Sequence, residues 1–375
     1  MNPDMRENEQ TLLLWAKSAC DTLIARYAPY ELPPANRWHY HQGVFLHGMM
    51  RLWERTKEER YFQYAKAYVD HLVDDNGSFL FARDELDAIQ AGLLLFPIYQ
   101  RTGERKYRLA AEKLCNLLGT LNRTSEGGFW HKDKYPNQMW LDGLYMGGVF
   151  AVVFADCFGQ TNLYEEVLHQ EKLMRSHMKD HATGLLYHAW DESRKAPWAH
   201  PETGCSPEFW GRSVGWYAAA VADILEYVPK GARGRDELAE AFRELIKSLI
   251  RYQDQPSGLW YQVLDKGNEP DNWLETSCSA LFIYAIAKAV RLQCADERCL
   301  AAANAGFAGL LRKVYKDEQN HFVLPDICIG TSAGDYRNYV TRPVSSNDLH
   351  GVGAFVLACL ELDKAKESLA LKAAT

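Results

Sequence analysis

Residues 139–154 read MWLDGLYMGGVFAVVF, a stretch with one charged side chain, Asp142, and no Lys, Arg or Glu. A helix that is apolar nearly all round has no face to give to water, so other helices must enclose it. Residues 274–290, LETSCSALFIYAIAKAV, share this character, and segments of the kind begin near Trp38, Asp84, Met139, Phe209, Leu274 and Ser345. Between them run charged amphipathic segments around Glu9–Tyr27, Lys57–Val73, Lys106–Leu121, Leu163–Met178, Arg235–Tyr252 and Asp296–Tyr315. In the second of these, Tyr61, Ala65, Tyr68 and Leu72 step by 4, 3 and 4 and hold one stripe of the helix against a core. Six charged helices alternating with six enclosed ones predict an all-α fold, an (α/α)6 barrel of six helical hairpins with an inner ring wrapped by an outer one. The competing arrangement is an open, protein-binding solenoid. Its inner face would usually be polar, whereas these segments are apolar with isolated acids at their starts.

The loops repeat as well. Residues 76–79, 127–131, 183–188 and 257–261 each place a Gly turn before a short aromatic stretch ahead of an inner helix, and residues 320–322 are a degenerate fifth copy. Short β-hairpin pieces on one rim are expected. Because every outer-to-inner loop opens on the same face, that rim is the expected site of function. A length of 375 residues leaves one large domain and two ordinary ones both open, but no Pro- or Gly-rich linker divides the chain. Residues 1–375 are read as one catalytic domain.

Composition narrows the partners. Apolar residues make up 47% and charged residues 24%, as in soluble globular proteins. The net charge of −7 and the lack of basic runs argue against nucleic acid. The longest apolar stretch, residues 147–155, is about half a bilayer span, so no membrane segment is expected. Nine scattered Cys in apolar stretches read as reduced thiols, and residues 1–10 carry no export signal, so a cytoplasmic protein is expected. A monomer or weak oligomer is expected.

The aromatic content of 12% asks for an explanation. Trp38, Trp130, Trp140, Trp190, Trp198, Trp210, Trp216, Trp260 and Trp273 fall in loops or at starts of inner helices. Flat faces with polar edges suit sugar rings, so a rim of Trp points to a carbohydrate ligand. The acids at inner-helix starts are Asp84, Glu85, Asp87, Asp142, Glu208, Glu275 and Asp348. Asp84, Glu275 and Asp348 read as helix caps or first-turn acids. Asp142 lies between Trp140, Leu141, Leu144 and Tyr145, which are expected to desolvate it and raise its pKa toward a value useful for proton donation. Arg212, between Trp210 and Trp216, could clamp a carboxylate or serve as a stacked structural cation. Residues 211–215 match a G-x-S-x-G elbow, but no buried strand precedes them. Cys294 and Cys299 have no second pair, and His39-Tyr40-His41 has no carboxylate or Cys partner in the sequence, so no metal is expected. No phosphate-loop or dinucleotide motif occurs, so no cofactor is expected.

Residues 134–146, KYPNQMWLDGLYM, together with residues 209–216, FWGRSVGW, closely resemble the unsaturated rhamnogalacturonyl hydrolases, family 105 of the glycoside hydrolases. The resemblance spans nearly the whole chain. It implies an enzyme that removes a 4,5-unsaturated galacturonic acid from the non-reducing end of rhamnogalacturonan oligosaccharides. It also implies hydration of the C4=C5 double bond, Asp142 protonating C4 and assisting water at C5, so that the hemiketal opens and the glycosidic bond falls apart. Asp87 matches a second acid of that family's pocket, and Tyr40, His188, Trp210, Arg212 and Trp216 match substrate contacts. His131 is counted among the substrate-binding candidates. Alternatives remain open: an unsaturated glucuronyl hydrolase acting on other lyase products, a conventional inverting glycosidase using Asp87 and Asp142, a sugar isomerase using His131 and His188, and a glycan-binding protein without activity.

Overall fold

The computed structural model of the protein describes residues 3–373 apart from Phe81, with side chains described over residues 12–372. Residues 1–10, read above for an export signal, lie outside the described side chains. The helices are α1 (Pro3–Arg26), α2 (Tyr40–Thr56), α3 (Glu59–Leu72), α4 (Leu86–Gln90), α5 (Leu95–Thr102), α6 (Arg105–Thr120), α7 (Val149–Phe158) and α8 (Asn162–Met178). They continue as α9 (Gly211–Tyr227), α10 (Arg235–Arg251), α11 (Thr276–Arg291), α12 (Leu300–Lys313), α13 (Tyr336–Val340) and α14 (Leu349–Ala373).

In the inner ring α2, α4 with α5, α7, α9, α11 and α14 each pack on the next, and α14 returns to α2. The outer ring is α1, α3, α6, α8, α10 and α12, each lying against its inner neighbours. This is the expected barrel of six helical hairpins. The inner faces explain it: α9 and α11 are buried along nearly their whole length, whereas α10 buries only Leu238, Phe242, Leu245, Ile246, Ser248 and Leu249, at helical spacing.

Two inner helices depart from the expected continuous form. The second is split by a 3-10 turn, Ala91–Leu94, before α5. Pro97 has no N–H to donate to the Leu93 carbonyl, so a regular helix cannot run through this point. The third does not begin at Met139. Residues Gln138–Trp140 form strand β1, paired antiparallel with β2 (Ala189–Asp191), and helix starts only at Asp142, passing through a π-helical turn, Leu144–Gly148, into α7. π turns of this kind are frequent at functional sites. Asp142 is the first helical residue after the strand.

The remaining strands are two-stranded pairs: β3 (Trp260–Tyr261) with β4 (Leu274–Glu275), β5 (Tyr315–Lys316) with β6 (Phe322–Val323), and β7 (Ile327–Cys328) with β8 (Val344–Ser345). Single bridges join Val73 to Phe79, Arg123 to Phe129 and Lys179 to Leu186. Each repeated loop thus folds back on the end of its outer helix, with positive φ at Gly77, Gly127, Gly184 and Gly258. An aspartate at the loop start holds several of these turns: Asp74 accepts from Asn76 N and Ser78 N, Asp180 from Thr183 N, Asp254 from Ser257 N, and Asp317 from Gln319 N and His321 N. These Asx turns were not recognised in the sequence, although their spacing is regular.

At the end of the barrel away from these loops, buried Lys288 bonds Asp223 and Glu226, each at 2.6 Å, and Arg291 joins Glu226 and Glu361. Ring closure depends on small residues. A Cβ on Gly353 of α14 would lie 2.6 Å from the Val44 carbonyl carbon of α2. Gly353→Ala is therefore expected to lower stability by about 1–3 kcal/mol through overpacking. Gly119→Ala on exposed α6, where an added methyl meets nothing within 4 Å, is expected to raise it slightly. Thermal unfolding of the two variants measures both signs.

Candidate active site

At the loop end of the inner ring lies a cavity of about 400 Å³. Seven of the eight residues singled out from the sequence line it: Tyr40, Asp87, His131, Asp142, Trp210, Arg212 and Trp216. The eighth, His188, is fully buried and faces Asp142 from behind. These eight residues, from four of the six hairpins, therefore converge at one place.

Asp142 and Asp87 differ in how their carboxylates are held. Asp87, at the start of α4, is 3% exposed and bonds Lys132 Nζ, with His39 Nε2 at 3.3 Å. Burial alone would raise its carboxyl, but the hydrogen bond from His39 and the charges of Lys132 and His131 outweigh that and hold it well below the carboxylate range. Asp87 is thus a compensated anion. Asp142 Oδ2 is buried and accepts no hydrogen bond. His188 Nε2 stands 3.4 Å away without an aligned bond. The expectation that desolvation would raise the Asp142 pKa is not met: burial does push it up, but the imidazoles of His188 and His131 pull it further down, below the usual value. Tertiary folding supplied those imidazoles, and the local apolar run gave no sign of them.

Sequence reading missed the group that orients His188. Its Nδ1 lies 2.8 Å from the Tyr339 hydroxyl, which also accepts from Gly334 N at 3.1 Å. A carboxylate can only accept, so the favourable tautomer has Nδ1 accepting from Tyr339 and Nε2–H directed at Asp142. Tyr339 stacks on Trp210, and nothing in its loop marks it as part of the site. His131 stacks on Trp140 at 4.1 Å, and burial lowers its pKa to about 4, so it is neutral at pH 7. Its Nδ1 and the Trp210 indole N–H have no partner. Unsatisfied buried polar atoms around a cavity are the mark of a polar ligand.

Arg212 is 1% exposed and lies over the Trp210 ring. Its Nη1 donates to the Cys328 carbonyl and to His350 Nε2, and its Nη2 to the Ile329 carbonyl. Three of its five N–H donors are used in this way, leaving two. His350 in turn bonds Asp348 at 2.8 Å and stacks on His41, whose Nε2 is 2.8 Å from the Tyr40 hydroxyl. Asp348, read as a helix cap, instead spends its carboxylate on His350. Glu275 does cap its helix, accepting from Cys278 N.

Other sequence readings change. Among the tryptophans, Trp140, Trp210 and Trp216 line the cavity. Trp38, Trp190, Trp260 and Trp273 turn their indole N–H groups to backbone carbonyls and serve as structural pins. Ser213 is buried on α9 and donates to the Trp210 carbonyl, so the G-x-S-x-G match is not a nucleophile elbow. The nine cysteines are free. His39 and His41, expected to lack carboxylate partners, have them: His39 lies with Glu85 and Asp87, and His41 with Asp348 and His350. Each group already holds a protein cation, Lys132 in the first and Arg212 in the second.

The model of Glycosyl Hydrolase Family 88 matches residues 15–366. Protein Atu3128 of Agrobacterium fabrum is 38% identical over 230 residues, which are 58% of this chain and 97% of that protein. The unsaturated rhamnogalacturonyl hydrolase YesR of Bacillus subtilis is 29% identical over 249 residues, 65% of this chain and 68% of that protein. A solved family 105 glycoside hydrolase from C. acetobutylicum superposes with a TM-score of 0.88 at 34% identity, covering 92% of this chain and 98% of its own. The unsaturated glucuronyl hydrolase of Bacillus sp. GL1, at 14% identity and a TM-score of 0.71, shares the fold. A family match over nearly the whole barrel makes the protein a glycosidase that belongs to Glycosyl Hydrolase Family 88, of the family 105 type.

Proposed function

We propose that the protein removes a 4,5-unsaturated galacturonic acid from the non-reducing end of rhamnogalacturonan-derived oligosaccharides by hydrating the C4=C5 bond, the barrel acting as one catalytic domain with Asp142 as general acid and base. The observation that carries this reading is the contrast between the two carboxylates. Asp142 lines the cavity with a carboxylate whose Oδ2 accepts no hydrogen bond, whereas Asp87 is locked between Lys132 and His39. A conventional inverting glycosidase needs two carboxylates free to act, one as acid and one as base. Hydration needs one group that first donates a proton to C4 and then takes one from water adding at C5. The two remaining N–H donors of Arg212 suit the substrate carboxylate, the unpaired Trp210 N–H suits a hydroxyl, and Trp216 and Tyr40 offer ring faces. The likeness to YesR supports the same substrate class.

Asp142→Asn is expected to lower kcat at least about a thousand-fold while KM stays within roughly a factor of three, because shape and hydrogen bonding survive. Near-normal turnover would end the assignment. The ultraviolet absorbance of the enol-uronate is expected to vanish as the wild-type enzyme cleaves. A signal that persists after cleavage would favour the conventional inverting mechanism.

The pH dependence has a definite sign. Asp142 ionises below the usual value in the free enzyme. A bound uronate adds a negative charge beside it, which favours the protonated acid and raises its pKa. Activity that needs this proton is present below the pKa and lost as pH rises through it. The fall in kcat, set by the complex, is therefore expected at higher pH than the fall in kcat/KM, set by the free enzyme. Coincident limbs would show that the substrate charge does not reach Asp142.

A further inference from the structure

Six cations line the cavity, Arg37, Arg83, Lys132, Lys134, Arg212 and Arg342, against two acids, Asp87 and Asp142. This is the reverse of the chain as a whole, whose net charge is −7. Two of the six are accounted for. Lys132 is paired with Asp87 and Glu85, and Arg212 is bound to His350 and two carbonyls. The other four have no carboxylate partner among the described residues. Arg83 and Lys134 are exposed, and Arg37 and Arg342 are half-buried. They come from four separate loops, those ahead of α2, α4, β1 and β8. Arg342 is held in place without being neutralised: its Nε donates to Thr331 Oγ1 at 3.1 Å and its Nη2 to the Gly330 carbonyl. Lys134 lies over the Tyr135 ring.

One terminal uronate brings one carboxylate, which four unpaired cations exceed. Like charges gathered at a cavity mouth repel one another and are tolerated most readily where a ligand anion offsets them. We propose that Arg37, Arg83, Lys134 and Arg342 form a second anion site at the mouth of the cavity, which holds a carboxylate or sulfate carried by the sugars beyond the terminal uronate. The proposal rests on the reading of the cavity as an unsaturated-uronide site: with the terminal ring beside Asp142, the rest of the chain must leave through the mouth and pass these side chains.

The test uses three substrates with the same terminal 4,5-unsaturated uronate: a disaccharide with a neutral second sugar, a longer oligosaccharide carrying a second uronate, and a disaccharide sulfated on the second sugar. Turnover is followed by loss of ultraviolet absorbance in the wild-type enzyme, in Arg83→Gln, in Arg342→Gln and in the double variant. The quantity read is the ratio of kcat/KM for each doubly charged substrate to that for the neutral disaccharide. In the wild type one ratio is expected near ten, and which one identifies the anion as carboxylate or sulfate. Each substitution is expected to reduce that ratio roughly two- to five-fold, through KM. Raising the salt to 0.5 M is expected to reduce it in the wild type, because exposed charges are screened over about 4–5 Å at that strength. A wild-type ratio near one, or variants that slow all three substrates equally, would overturn the second anion site while leaving the catalytic reading intact. Failure to consume any of the three would overturn that reading and this proposal with it.

Discussion

Six helices that are apolar on nearly every side can exist in water only if a second ring covers them, and that burial governs the rest of this molecule. Many polar groups that the ring buries are paired there: Lys288 with Asp223 and Glu226, Gln262 Nε2 with Tyr339 and Cys328, Arg212 with His350 and two carbonyls. Of the buried polar atoms without a hydrogen-bond partner, four share one place. Asp142 Oδ2, His188 Nε2, His131 Nδ1 and Trp210 Nε1 gather at the end of the ring where the loops open. Their gathering around one cavity suits a polar ligand.

Chemistry at that end follows from how charge is shared out. Two aspartates on neighbouring hairpins have the same side chain and different settings because their surroundings differ. Lys132, one residue after His131, fixes Asp87 as a permanent anion. His188, held by Tyr339 from a loop about 150 residues further on, faces Asp142 without closing on it. The Asp348–His350–Arg212 chain does for the cation what Tyr339 does for the imidazole: it sets direction and leaves part of the donor set open. His188 and Arg212 are each held in direction by a second side chain.

Much of this was legible along the chain. The six charged segments became α1, α3, α6, α8, α10 and α12 within a few residues of their expected bounds, because an amphipathic stripe repeats over many turns and needs no partner to be recognised. The breaks in the inner helices were less so. Pro97 acts locally and could have been used, but the late start of the third inner helix depends on β1 pairing with β2, fifty residues away. The tryptophans teach the same lesson. Their positions near loops were plain, yet whether an indole faces a cavity, as Trp210 does, or pins a backbone carbonyl, as Trp38 and Trp260 do, depends on what the fold brings beneath it.

Sequence by itself determined the barrel, because hydrophobic period is a local property, and through contiguous motifs and the resemblance they carry it named seven of the residues that line the cavity. Only the tertiary structure decided protonation and pairing. It drew Asp142 down in pKa where an apolar run had implied the reverse, joined His39 to Asp87 and His41 to Asp348, engaged most of Arg212, and left Arg37, Arg83, Lys134 and Arg342 unpaired at one mouth. The reason is physical. Electrostatic interaction depends on distance and desolvation in three dimensions, and residues far apart in the chain acquire both only when the ring closes.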